Sequence, residues 1–171
     1  MVSLRGFGKV NVYMMRGTHM SYNFYGWRDA VVPAKTTGYK GIETPQELYD
    51  ALKHVWCEYT CAPRLRNEWS EDNITLGQCS ITAFLVQDIF GGEVYGIQRP
   101  GGNYHCYNVV DGAVFDLTSE QFGDEVLSYE DNPIQTREEH FAKEEKRQRY
   151  EFLCVSLKKY LEGHIPPSCE K

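Results

Sequence analysis

The sequence lacks any apolar run long enough to span a bilayer, and residues 1–9 lack the apolar centre of a secretory signal peptide. An excess of positive charge is also missing, since 18 Lys and Arg stand against 24 Asp and Glu, for a formal net charge of -6. Phosphate neutralisation requires clustered Lys and Arg, so this balance argues against nucleic-acid binding. We therefore expect a cytoplasmic protein without a nucleic-acid or membrane partner.

The paired cysteine motifs of a structural zinc site are not evident either. The six cysteines are scattered along a chain without an export signal, so we expect them to stay reduced. Cys57 and Cys61 lie close together after His54, but a zinc site usually has a second ligand pair. Cys79, His105 or Cys106 would have to supply it. A small zinc protein is therefore the weakest of three interpretations, and no metal is assigned.

What is present is an ordinary globular composition, 42% hydrophobic, 25% charged and 13% aromatic. A chain of 171 residues can hold one sizeable core, so we expect a single domain over residues 41–171. Residues 1–40 form an N-terminal extension that is rich in aromatic residues and glycine and has no clear period. This extension could be an arm packed on the core, a contact in a homo-oligomer, or a partly disordered segment.

The pattern predicts three helices. Thr44 and Glu47 form a capping box that opens a helix ending before Pro63. Residues 78–90 are apolar on nearly every side, which predicts a buried central helix. A long C-terminal helix begins at Thr136. Between the last two helices the sequence predicts three antiparallel strands, over residues 93–98, 103–110 and 113–118. The fold class is therefore α+β, with the buried helix packed on an antiparallel sheet of at least three strands.

The second and third strands flank Asp111-Gly112, a strong signal for a two-residue hairpin turn. With that turn, alternation along the strands puts His105 and Asp116 on the same face, as diagonal neighbours about 7–8 Å apart. A slip of one residue would put them on opposite faces. Cys106 points to the other face, which argues against it as the thiol that His105 activates.

Cys79, in the run Gly77-Gln78-Cys79, begins the buried helix. Unpaired N–H groups and the helix dipole stabilise a thiolate at such a position. If the helix lies across the His105 face of the sheet, the thiol and the imidazole can form an ion pair that Asp116 orients. These three residues are the candidate catalytic triad.

Four further residues are candidates for the surroundings of the triad. Backbone N–H groups at the start of the helix could form an oxyanion hole, with Gln78 as a helper. Trp69, Tyr104 and Tyr107 are candidates to line a substrate site, although the position of Trp69 in a polar connection favours a plain packing role.

Each triad residue also has a purely structural interpretation. Cys79 could be a small apolar residue in a core helix, His105 could be hydrogen-bonded locally, and Asp116 could cap the turn that follows it. The joint pattern favours catalysis, because an ionisable pair beside a buried helix costs free energy unless it has a purpose.

The three residues and their order resemble the papain-like group, and within it the transglutaminase-like branch. That branch has a cysteine at the start of a core helix, a histidine on a following strand and an aspartate on the next. The spacings here are 26 and 11 residues, and Tyr107 follows the histidine where tryptophan is common. The resemblance implies a papain-like fold with a cysteine–histidine–aspartate core.

A second resemblance, over roughly residues 44–162, is to the YunG family of uncharacterised bacterial proteins. Its marks are distributed over the predicted helices and strands: Trp69-Ser70, Gly77-Gln78-Cys79, Val86-Gln87-Asp88, Gly91-Gly92-Glu93, His105 to Asn108, Asp116-Leu117-Thr118, Gln121-Phe122 and Arg149-Tyr150. This resemblance implies no substrate.

The function that these observations favour is a cysteine-dependent hydrolase or acyl transferase for an amide, ester or thioester. Cys79 attacks, His105 shuttles the proton and Asp116 orients the imidazole, on an unknown small-molecule or peptide substrate. No metal or organic cofactor is needed. The main alternative is a catalytically silent binding or interaction protein of the same fold, whose site would be the same cleft.

Overall fold

The computed structural model describes residues 21–164 and has the expected α+β architecture. Within this part of the chain, no helix is both long and apolar enough to cross a membrane. Two short 3₁₀ turns, Pro63–Glu68 and Ser119–Phe122, supplement the main elements. In chain order these are α1 (Pro45–Leu52), α2 (Cys79–Phe90), β1 (Glu93–Gln98), β2 (Tyr104–Val110), β3 (Ala113–Phe115), α3 (Arg137–Phe141) and α4 (Glu144–Leu161).

The sheet is antiparallel in the order β1-β2-β3, and the predicted hairpin register is confirmed because Val110 pairs with Ala113. Asp111 and Gly112 have φ of 49° and 85°. Two consecutive positive φ angles are typical of the turn whose twist matches that of the strands it joins. The turn therefore sets which residues of β2 and the following segment share a face.

β3 ends at Phe115, three residues earlier than the sequence predicts. The reason is a competing partner, since the backbone N–H of Asp116 donates to the carbonyl of Tyr25 at 3.0 Å. The chain then turns, because the Asp116 carboxylate accepts from the N–H of Thr118 at 3.0 Å. As a result, the half of β2 before Asn108 has no β3 residue beside it.

α2 is buried as predicted, but it packs on the opposite face of the sheet from His105. The Asn108 side chain donates to the carbonyl of Ala83 on α2 at 2.9 Å, and Cys106 packs with Ala83 and Phe84. The condition stated for the triad, that α2 lies across the His105 face, is therefore not met. The physical reason is complementarity, because the Cys106 face also carries the buried Val94 and Val110, which suit an apolar helix.

α1 has the predicted capping box, with Thr44 and Glu47 bonded reciprocally. It ends at Leu52, earlier than expected, and the chain continues in turns that keep Val55 and Trp56 buried. The indole N–H of Trp56 donates to the Thr82 hydroxyl on α2 at 3.1 Å. A buried indole needs such a partner, and the turns after Leu52 are compatible with this contact.

The C-terminal helix is divided into α3 and α4, whereas the sequence predicts one long helix. Lys143, between them, has an extended backbone, with φ of -87° and ψ of 114°. The rings of His140 and Phe141 both pack on Phe84, at 4.8 and 5.4 Å between centroids. These contacts bring the end of α3 onto α2, and α4 then starts in a new direction.

Residues 21–40 lie on the core. Phe24 and Ala30 are buried within the main apolar cluster, and Tyr25 forms an antiparallel bridge with Asp116. Residues 1–20 lie outside the described part of the chain. The expected division at residue 41 and the oligomer contact stay predictions.

Candidate active site

The fold brings together the three residues of the predicted triad. Cys79 is the first residue of α2, His105 is the second residue of β2, and Asp116 follows β3 directly. Nε2 of His105 lies 2.5 Å from Oδ2 of Asp116, and both side chains are at least 98% buried. The pairing follows from the hairpin register, which makes the two residues diagonal neighbours on one face.

Hydrogen bonds hold the Asp116 carboxylate on both oxygens. Oδ1 accepts from the N–H and the hydroxyl of Thr118, at 3.0 and 3.1 Å. Oδ2 accepts from the Tyr129 hydroxyl at 2.9 Å as well as from His105. Asp116 thus caps the turn that follows it and binds the imidazole at the same time. The carboxylate cannot rotate away without breaking several bonds, so it fixes the orientation of the ring.

The His105 imidazole is held in its charged form. Burial lowers its pKa, but the negative charges of Asp116 and Cys79 outweigh this effect and raise the pKa to about 10. Since Nε2 binds Asp116, Nδ1 is the nitrogen left for the thiol. Nδ1 is buried and has no well-aligned hydrogen bond among the described residues, but Cys79 is close enough to raise the pKa of the imidazole.

Cys79 is half-buried as a residue, and the pKa of its thiol lies well below the usual value. The largest cause is a hydrogen bond from the Cys106 thiol, which outweighs the opposing effect of burial. The imidazole of His105 and the backbone N–H of Cys106 lower the pKa further. The start of α2 also stabilises a thiolate at Cys79, because the first N–H groups of a helix have no partner within it and lie at the positive end of its dipole.

Cys106 has a role that the sequence analysis missed. Its pKa is raised, first by the hydrogen bond to Cys79, so it keeps its proton and stabilises the neighbouring thiolate. The early end of β3 makes this contact possible. In the hairpin register Cys106 would pair with Leu117, which lies beyond β3, so its backbone N–H faces the gap that Cys79 fills.

An aromatic cover lies over His105. The ring of Phe122 meets the imidazole edge to face, with centroids 4.6 Å apart. The Arg99 guanidinium lies 4.8 Å from the Phe122 ring and donates to both carboxylate oxygens of Glu125, at 2.8 and 2.9 Å. We call Phe122, Arg99 and Glu125 the Phe122 cover, in which the Phe122 ring is the part that contacts the imidazole. The sequence offered no signal for them.

Gln78 is buried beside the thiol, but its amide is already engaged. Nε2 donates to the carbonyl of Cys57 at 3.1 Å, while Oε1 is buried without a partner among the described residues. Only its second N–H is left for an oxyanion. The backbone N–H groups at the start of α2 are therefore the better candidates.

The three aromatic candidates for a substrate site are dispersed. Tyr107 shares the His105 face, where it is buried and donates to the carbonyl of Tyr129 at 3.0 Å. Tyr104 precedes His105, so it points to the other face, and it is 39% exposed. Trp69 is half-buried, and its indole N–H donates to the carbonyl of Ile74 at 3.1 Å, a contact that serves local packing.

Two open clefts, of about 470 and 560 Å³, are both lined in part by Tyr25. Neither is lined by Cys79 or His105. The larger one is lined partly by Tyr129, whose hydroxyl binds Asp116.

The cysteines differ in state. Cys61, Cys79, Cys106 and Cys154 are free thiols. Cys57 is disulfide-bonded, so the expectation that every cysteine stays reduced is wrong at this position. Within residues 21–164 no group of three or more His, Cys, Asp or Glu side chains could hold a metal ion.

Comparison with known proteins agrees with one of the two sequence resemblances. The family model described as "YunG protein" matches residues 44–162. A Bacillus subtilis (strain 168) protein titled "Uncharacterized protein YunG" is 33% identical over 110 residues, which cover 64% of this chain and 88% of that protein. No solved structure matches the chain. The chain belongs to the YunG family.

Proposed function

We propose that this protein is a cysteine-dependent hydrolase or acyl transferase with a papain-like, transglutaminase-like arrangement of Cys79, His105 and Asp116. One observation carries the proposal: the thiol of the half-buried Cys79, whose pKa is lowered, lies next to a buried imidazole that a fully hydrogen-bonded carboxylate orients. A charged imidazole beside a thiolate is the resting state from which cysteine nucleophiles react.

In the proposed reaction, the Cys79 thiolate attacks the carbonyl carbon of an amide, ester or thioester. The protonated His105 gives its Nδ1 proton to the leaving amine, alkoxide or thiolate, and a thioester with Cys79 forms. His105 then takes a proton from water or from an acceptor nucleophile, which attacks the thioester and releases Cys79. Asp116 keeps Nε2 in place throughout and is not itself protonated.

The oxyanion of each tetrahedral intermediate needs donors close to the thiol. The backbone N–H groups in the first turn of α2 are suited to this role, because they lack helical partners and lie at the positive end of the dipole. The second N–H of the Gln78 amide can assist, since the first is bound to Cys57. Because His105 is only 2% exposed, a substrate would have to approach through the half-buried Cys79 and not past the imidazole.

Competitive alkylation tests the proposal. With limiting iodoacetamide at neutral pH, Cys79 should react faster than the half-buried Cys154, whose pKa is raised by burial. In His105→Ala the rate at Cys79 should fall and its pH profile should move to higher pH, while Cys154 stays unchanged. Electrophilic acyl probes, which form a thioester, should label Cys79 in the wild type and not in Cys79→Ala. Equal reactivity of the two thiols would refute the catalytic reading.

A catalytically silent binding protein is the second candidate, and the separation of both clefts from Cys79 favours it. Tyr25, which is 47% exposed, lies at the rim of both clefts and could contribute to such a binding surface. In that case acyl probes would leave Cys79 unlabelled in a folded protein, even if iodoacetamide alkylates it.

A further inference from the structure

Cys79 and Cys106 form a pair of thiols whose arrangement fits a second kind of chemistry. Ala83 lies one helical turn after Cys79, and Asn108 lies two residues after Cys106 on the same strand face. Since the Asn108 side chain binds the carbonyl of Ala83, α2 lies against the strand face that carries Cys106, and Cys79 at the start of α2 takes hydrogen bonds from both the thiol and the backbone N–H of Cys106. The hydrogen bond between their thiols agrees with this placement.

We propose that Cys79 and Cys106 are a peroxide-reactive pair, in which Cys79 is oxidised by a hydroperoxide and Cys106 closes a reversible disulfide with it. The inference requires a thiolate at Cys79 but does not require that Cys79 transfers acyl groups, so it is independent of the proposed function.

The disulfide forms in two steps. The Cys79 thiolate attacks one oxygen of the hydroperoxide, the O–O bond breaks, and Cys79 becomes a sulfenic acid while water or an alcohol leaves. The sulfur of Cys106 then attacks the Cys79 sulfur, the S–O bond breaks and water leaves. The hydroperoxide is reduced, and the two thiols are oxidised to one disulfide.

Exposure determines the order of the steps. Cys79 is partly exposed and can meet a peroxide, whereas Cys106 is only 4% exposed and is shielded from direct oxidation. Oxidation of Cys79 also prepares Cys106. The hydrogen bond from Cys106 to the Cys79 thiolate is the largest cause of the raised pKa of Cys106. The pKa of Cys106 should fall when that thiolate is converted to a neutral sulfenic acid. The charge of Lys146 then favours ionisation of Cys106.

Cys61 is the competing partner for an oxidised Cys79. It lies behind Gly77, where a Cβ on that glycine would meet its sulfur at 2.6 Å. Burial raises its pKa to about 11, and its thiol donates to the carbonyl of Ala62 at 3.5 Å. Its sulfur thus has its own partner, and the charge interaction with Cys79 affects its pKa less than burial and the nearby Arg149, Arg66 and Arg64 do. We therefore expect Cys106, and not Cys61, to resolve the sulfenic acid.

Peptide mapping tests the pair directly. The reduced full-length protein receives one equivalent of hydrogen peroxide, the free thiols are alkylated, and a digest is mapped without reduction. The expected product is a Cys79–Cys106 disulfide that a thiol reductant reverses, and Cys61→Ala should give the same product. In Cys106→Ala, dimedone should trap a sulfenic acid at Cys79 and the disulfide should be lost.

A Cys79–Cys61 disulfide, or irreversible oxidation of wild-type Cys79 without any disulfide, would overturn the inference. The wild-type map decides the matter even if Cys106→Ala does not fold, because it detects the bond itself. Acyl-probe labelling separates the two proposals. If Cys79 forms the disulfide and is never labelled by an acyl probe, the redox pair is supported and the acyl-transfer function is refuted. If Cys79 is labelled by an acyl probe and forms no disulfide, the acyl-transfer function is supported and the redox pair is refuted.

Discussion

The imidazole of His105 and the carboxylate of Asp116 are joined at 2.5 Å inside the protein, with neither side chain more than 2% exposed. The two residues are 11 positions apart and reach each other across a two-residue turn. Asp116 adds a backbone contact to Tyr25, which ends β3 and opens the gap beside β2. The same residue therefore orients the imidazole and makes room for the thiol.

Asp116→Asn should weaken both the site and the fold. The carboxylate charge raises the pKa of His105, so its loss should lower that pKa, and the thiolate of Cys79 should lose its charged partner. The pH profile of Cys79 alkylation should move to higher pH. Since an amide also places N–H groups where the carboxylate accepts hydrogen bonds, the free energy of unfolding should fall by about 1–3 kcal/mol. Urea titration measures it, with the exposed Asp124→Asn as control. An unchanged alkylation profile in the folded variant would contradict this role.

In Cys79→Ala, the free energy of unfolding should depend on pH through the titration of His105. Burial lowers the pKa of His105, but Asp116 and Cys79 raise it to about 10, against a usual 6.5. A group whose folded pKa is raised contributes stability that is complete below 6.5 and is lost as the pH rises through about 10. Without Cys79 the folded pKa of His105 is less raised, but the free energy of unfolding should still decline above pH 6.5, by at most about 1.4 kcal/mol per pH unit.

The wild type should behave differently, because Cys79 acts in the opposite direction. Its folded pKa is lowered, so its contribution is present above the usual 9.0 and is lost as the pH falls through the folded value. Between pH 6.5 and 9.0, folding makes His105 bind one proton and Cys79 release one. The two changes cancel, so the free energy of unfolding should be nearly constant in this range. Urea unfolding across this range measures both profiles, with Cys154→Ala as the matched control. A flat profile for Cys79→Ala would show that His105 is not charged in the folded protein.

The sequence predicts the contact between His105 and Asp116, because the turn between their strands sets which residues lie side by side. The dipeptide Asp111-Gly112 sets the hairpin register, and the register alone pairs His105 with Asp116. The apolar run of α2 likewise identified a buried helix, and Cys79 as its first residue. These features depend on residues close in sequence, and their periodicities are those of the backbone itself.

The remaining features depend on residues far apart in sequence. α2 packs on the sheet face that carries the buried Val94 and Val110, and the early end of β3 is set by the backbone contact with Tyr25. Neither feature leaves a periodic signal. The same holds for the cover of Phe122 over His105, which rests on the ion pair between Arg99 and Glu125. The role of Cys106 was missed for this reason, because it required the face of α2 to be known.

Phe122→Ala should open the site to larger reagents. The Phe122 ring lies against the imidazole, and its removal leaves space beside His105 without touching the thiol. Labelling of Cys79 by bulky acyl probes should therefore increase more than its reaction with iodoacetamide, which is small enough to reach the exposed side already. Phe152→Ala is the matched control, since Phe152 is a half-buried ring that packs on Tyr59 from α4. Equal changes in both rates would show that the Phe122 cover does not limit access.

Gly77→Ala should destabilise the start of α2, and the additional substitution Cys61→Ala should not restore the stability. Gly77 has φ of +70°, a conformation that side chains rarely adopt, and a Cβ there would lie 2.6 Å from the Cys61 sulfur and 2.9 Å from the Ala62 nitrogen. The variant should lose about 1–3 kcal/mol of unfolding free energy. Adding Cys61→Ala removes only the contact with sulfur, so most of the loss should persist because the backbone strain and the clash with Ala62 remain. Full recovery in the double variant, measured by urea titration, would show that the sulfur alone requires glycine before Gln78-Cys79.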